Sequence, residues 1–117
     1  MYVEIAGPHA IKRGVAGSIE YVESSPLRAI AATLGDALAV YQKHFGVAIC
    51  PYDGSAADYP IPEDEIPKYF WYRSSDSADQ VLDIHIRRGT ELICPKQDLG
   101  FLLIDGDSVE IGVARAC

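Results

Sequence analysis

One stretch of this sequence repeats its apolar residues at helical spacing. Leu27, Ile30, Ala31, Leu34, Leu38, Tyr41 and Phe45 recur at intervals of three, four and occasionally one, which lines them along one face of an α-helix. Ser25 stands where a capping side chain is wanted, and Pro26 suits the first turn. At the other end Lys43 and His44 meet the negative pole of the helix dipole, and Gly46 is a natural stop. Gly35 is the weak point, costing up to ~1 kcal/mol against Ala in an exposed helix interior; close packing on a sheet would explain it. The spacing therefore predicts one long helix beginning near Ser25 and ending at Phe45.

Little else has helical period, so the rest of the chain is expected to be strands and turns. Tyr2 to Ala6 alternates, with Val3 and Ile5 on one face; 9–17 reads as a loop; Ser18 to Glu23 alternates again. Val47 to Cys50 is a buried strand stopped by Pro51. Residues 52–68 are acidic and proline-rich, and Pro60, Pro62 and Pro67 forbid a long regular element there. Beyond them come Tyr69 to Arg73, Val81 to Arg87, Thr90 to Cys94, Gly100 to Asp105 and Ser108 to Arg115. Arg88-Gly89, 95–99 and Asp105-Gly106-Asp107 separate most of these strands as turns. The expected fold is α+β: one long amphipathic helix packed on a mostly antiparallel sheet of about five to seven strands. It is read as a single domain over 1–117, with a β-β-α-β portion over 1–51, the acidic loop over 52–68 and an antiparallel meander over 69–116.

Size and composition bound the rest. A chain of 117 residues, 49% hydrophobic and 23% charged, has enough apolar material for one core without a disulfide or metal staple. The first residues lack the basic and apolar regions of a secretory signal. Runs such as Phe101 to Ile104 fall far short of the ~20 residues a membrane helix needs. Three cysteines, Cys50, Cys94 and Cys117, form an odd set without a CxxC pair, which fits reduced thiols in the cytoplasm. A formal charge of −7 repels nucleic-acid phosphates and favours encounter with a basic protein partner.

Two constellations suggest chemistry. Asp83, His85 and Arg87 are spaced to project side by side from one strand face, where an Asp can orient a His as general base and an Arg can hold an anion. A mixed-charge solvated face has the same pattern, and no nucleophile can be placed beside His85, so that reading comes first. The echo of Ile49-Cys50-Pro51 in Ile93-Cys94-Pro95 ends two expected strands. Were those strands neighbours, Cys50 and Cys94 would be candidates for a zinc, redox or haem site; buried structural thiols are the simpler expectation. Lys12-Arg13 with Gly14 to Ser18 lacks the spacing of a phosphate loop and leads into a strand. No cofactor is implied.

The surface pattern carries the functional expectation. Asp58, Tyr59, Glu63, Asp64, Glu65 and Trp71 place acid beside aromatics, the composition of a protein-binding patch in which aromatic anchors supply contact energy and carboxylates supply steering. The expected function is a small acidic interaction domain of inhibitor type that masks a basic surface of a partner. The alternatives are a small enzyme or ligand-binding domain using Asp83, His85 and Arg87, and a structural subunit of an assembly.

Overall fold

The computed structural model describes residues 2–7, 10–13, 19–22, 27–55, 61–75 and 79–112, with the backbone alone for 10–13 and 19–22. Its strands are β1 (Val3–Ala6), β2 (Ala10–Arg13), β3 (Ile19–Val22), β4 (Leu27–Ala29), β5 (Ala48–Pro51), β6 (Tyr69–Arg73), β7 (Gln80–Arg88), β8 (Glu91–Ile93) and β9 (Ser108–Ile111). Helix α1 spans Leu34–Phe45, and a 3-10 helix spans Glu63–Lys68. The fold class is α+β.

The helix is shorter than its apolar spacing predicts: 12 residues, capped by Thr33, whose hydroxyl accepts from the Asp36 amide at 3.2 Å. Leu27 to Ala29 belong instead to β4, which pairs antiparallel with β1. Apolar residues at 27, 30 and 31 satisfy a helical period, those at 27, 29 and 31 satisfy a strand equally well, and a partner strand outweighs a weak local preference. The far end is as expected, with Gly46 left-handed at φ 66. Gly35 stands in the first turn, where a Cβ would come within 3.0 Å of the Leu99 carbonyl oxygen. The missing side chain lets the chain at Leu99 dock on the helix start.

The main sheet runs β4-β1-β9-β7-β6-β5, with β8 also paired to β7 and β2-β3 forming a separate hairpin. Ladders are antiparallel except β1–β9, which is parallel. The expected C-terminal meander is therefore only partial, because β9 enters between β7 and β1. Gly100 to Asp105, expected as a strand, makes a single bridge from Leu102 to Thr33; β2 forms where a loop was expected. Val3, Ile5, Ile84, Ile86, Val109 and Ile111 point from the sheet onto Leu34, Ala37, Leu38 and Tyr41 of α1. Each fully buried aliphatic side chain of this kind contributes about 1.5–3 kcal/mol.

One polar clasp sits within this frame. The Arg88 guanidinium donates to both carboxylate oxygens of Asp107 at 2.9 and 2.8 Å and to the Leu102 carbonyl at 3.2 Å. The buried Asp107 also accepts from the Ile104 amide, and its backbone carbonyl accepts from Glu4 of β1. Burial pushes the Asp107 carboxyl up, but the Arg88 hydrogen bond, the Ile104 amide and the Arg88 charge outweigh it, leaving the group below its ordinary value. A carboxyl lowered in the folded state stabilises above the unfolded value, and that stability is lost as pH falls. Asp107→Ala is expected to cost about 2–4 kcal/mol in urea unfolding near neutral pH. The part of that loss owed to the ionised carboxylate should shrink as pH falls below the ordinary carboxylate range. An unchanged midpoint at neutral pH would show that the clasp does not hold the fold.

Candidate functional site

Alternation along β7 sends Ile84 and Ile86 into the core and Asp83, His85 and Arg87 to the opposite face. The structure does bring that row together, and β9 adds a residue to it. His85 pairs with Glu110 across the β7–β9 ladder, and its Nε2 lies 2.7 Å from Glu110 Oε2. The Arg87 Nε donates to Glu110 Oε1 at 2.7 Å, so one carboxylate bridges imidazole and guanidinium. A carboxylate only accepts, so with Glu110 ionised His85 carries its proton on Nε2. Burial works to raise the Glu110 carboxyl, yet the hydrogen bonds from Arg87 and His85 and their charges hold it below the ordinary range; Arg87 is raised in return, first by that hydrogen bond.

This face is not the wet one the alternation predicts. His85 is 0% exposed, and Asp83 is buried too; His85 Nδ1 and Asp83 Oδ2 have no hydrogen-bond partner. The sequence pattern shows which residues share a face but not what covers it. Neither nitrogen of His85 meets a hydroxyl or thiol, so the row lacks the nucleophile–base contact of covalent catalysis. An open cavity of about 450 Å³ lies elsewhere, against Val40, Lys43 and His44 of α1.

The cysteine expectations need correction. Cys50 is free and half-buried on β5, whereas Cys94 is exposed just past β8 and is disulfide-bonded. The pair is thus neither two reduced, buried thiols nor a thiolate site, since a cysteine in a disulfide has no thiolate to offer. Disulfides persist in oxidising compartments, so cysteine usage no longer argues for the cytoplasm. Among the described residues no group of three or more His, Cys, Asp or Glu is placed to hold a metal ion, and no helix is long and apolar enough to cross a membrane.

Asp58 and Tyr59 lie outside the described residues. Glu63, Asp64 and Glu65 form the first turn of the 3-10 helix, Glu63 and Asp64 exposed and Glu65 3.7 Å from Lys68. Its seat is built from a distance. The Gln97 side-chain amide donates to the carbonyls of Tyr52, Ile66 and Tyr69 at 2.9, 3.3 and 3.0 Å, fixing the acidic turn to β6 and to the chain before it. Trp71 is only 9% exposed, stacked edge-on against Tyr52, with Arg73 over its ring at 4.8 Å. Its indole N–H donates to Asp53. Hydrogen bonds from Ser55 and Trp71 lower Asp53 to about 2. Of the aromatics expected as anchors, Trp71 is therefore part of the packed interior and Tyr59 lies outside the described residues; Gln97 is the residue that sequence reasoning missed. A lone Gln in a turn carries no signal of its role.

No protein-family model matches the chain, and no curated protein or solved structure matches it either.

The burial of His85 has a direct chemical test. Treatment of the native protein with diethyl pyrocarbonate should modify the exposed His44 and spare His85, read by peptide mass spectrometry. Comparable modification of His85 would show that the row opens to solvent and would revive a catalytic role.

Proposed function

We propose that this protein is a small, non-enzymatic interaction domain that covers a basic surface of a partner protein. The observation that carries this is the acidic turn Glu63 to Glu65, which presents its carboxylates on a seat held by the Gln97 side-chain amide, whose two N–H groups are shared among three carbonyls. Held charges steer a partner better than charges on a loose loop, because less ordering is needed on binding. The formal charge of −7 extends the same field over the molecule. Trp71, being packed inside, is left out of the binding surface, and the acidic turn supplies steering and partner choice. Inhibition of the partner follows where the covered basic surface is the one it works with.

A second reading, a ligand-binding domain on Asp83, His85 and Arg87, is favoured by one observation: the unpartnered Asp83 Oδ2 and His85 Nδ1. Their burial, and the absence of all three residues from the lining of the cavity at Val40, Lys43 and His44, favour the interaction role over it.

The test is capture from an extract of the source cells by the tagged protein, at low and high salt, beside the Glu63→Lys, Asp64→Lys, Glu65→Lys triple variant. A dominant partner with a basic surface should be released by salt and retained roughly tenfold less by the triple variant. Equal retention by both proteins would remove the acidic turn from the account.

A further inference from the structure

Seven large apolar residues stand exposed among the described residues, and five of them, Tyr2, Ile30, Leu99, Leu102 and Ile104, lie on segments that pair with one another. The backbone contacts join them. Val3 pairs with Ala29, so the next position sets Tyr2 opposite Ile30. Beyond the start of β1 the chain at 102–104 takes up the vacated edge: Thr33 bridges Leu102, and the Leu103 amide donates to the Ala32 carbonyl at 2.9 Å. Ile104 is thereby brought level with Ala31, one residue along the chain from Ile30. The Tyr2 amide donates to Asp105 at 2.8 Å and the Gly106 amide to the Tyr2 carbonyl at 3.0 Å, which closes the circuit. At the far end the Gly35 amide donates to the Leu99 carbonyl at 2.8 Å, setting Leu99 at the first turn of α1. Ile30 is 69% and Leu102 71% exposed. Apolar residues gathered this way on a water-facing surface mark a contact site far more often than isolated ones do.

Charge identifies the occupant. Asp105 borders one end of the strip, and Asp36 and Asp98 border the other. Asp98 follows Gln97, whose side chain holds the acidic turn of Glu63 to Glu65. Of the neighbouring cations, Arg88 is clasped by Asp107 and Lys68 pairs with Glu65, whereas Arg28, over the Tyr2 ring at 5.0 Å, and Lys96 are exposed and keep their charge beside the more numerous carboxylates. A second copy of this chain, also carrying −7, or an anionic lipid or nucleic acid would be repelled here. We infer that the strip and the acidic turn beside it form one docking surface for a protein segment that offers an apolar ridge flanked by Lys and Arg. The strip supplies the contact area that the buried aromatics do not, and the carboxylates select the partner's charge. This rests on the proposed interaction role and places its contact energy.

The probe is a synthetic peptide of about 12 residues alternating Leu and Lys, with Ser-for-Leu and Glu-for-Lys controls. Binding to the full chain is followed by fluorescence polarisation. The Leu–Lys peptide should bind the native protein, with both controls at least roughly tenfold weaker. Leu102→Asp and Ile30→Asp should each weaken it by about tenfold, as should the Glu63, Asp64, Glu65 to Lys triple variant. Both single changes are at exposed positions, and unchanged circular dichroism and urea midpoints will establish that they fold. Absent or unselective binding, or full binding by both strip variants, overturns the inference. Loss in the triple variant alone does so too but leaves the acidic masking role standing. Loss in the strip variants alone overturns the joint surface and the masking role with it. A concentration-dependent dimer abolished by Leu102→Asp would assign the strip to a second copy and also overturn it.

Discussion

The clasp between Arg88 and Asp107 ties together the strands at the centre of this sheet. A single guanidinium at the end of β7 fixes a buried carboxylate at the entry to β9, and also the Leu102 carbonyl. Asp107 then passes the constraint on through its backbone to β1. Parallel pairing of β1 with β9 joins segments from opposite ends of the sequence, so its closure entropy is among the larger costs of the fold. A bidentate, largely buried ion pair with further hydrogen bonds is the kind of interaction whose geometry sets register as well as energy. The 102–107 segment, which has no strand partner along most of its length, is held by this pair together with its backbone bonds to Ala32 and Tyr2.

A second consequence is the division of labour between the sheet's faces. One face carries Ile and Val under α1; the other carries Asp83, His85 and Arg87, and the Glu110 carboxylate ties the last two together. Networks of this kind are stable when every member is satisfied, and costly when not. Here Arg87 and Glu110 are satisfied while His85 and Asp83 each keep an unpartnered buried atom. The row has the composition of a catalytic site but is fully buried at its histidine, which is why the functional proposal rests on the surface instead.

Much of the core was legible in the sequence. Alternation in 81–87 placed Ile84 and Ile86 inside, Val3 and Ile5 were paired on one face, and Gly46 marked the helix end. The helix start was misread because Leu27 to Ala31 satisfies two periods at once, and only the pairing of β4 with β1 decides between them. The candidate site was less legible. The acidic turn stood out by composition, whereas its seat depends on Gln97, which lies 28 to 45 residues from the carbonyls it holds. Trp71 looks like an exposed anchor beside carboxylates, yet it packs on Tyr52 and its indole N–H donates to Asp53.

By itself the sequence determined the class of fold, the acidic balance and the alternating faces of individual strands, because those follow from local period and from counting charges. Tertiary structure alone decided which side of a strand is wet, which cysteine is paired, and that the segments carrying Tyr2, Ile30, Leu99, Leu102 and Ile104 run alongside one another. Each of these is a contact between residues distant in the chain. No spacing rule within a segment encodes such a contact, since strand order and the covering of a face are settled only when the whole core closes.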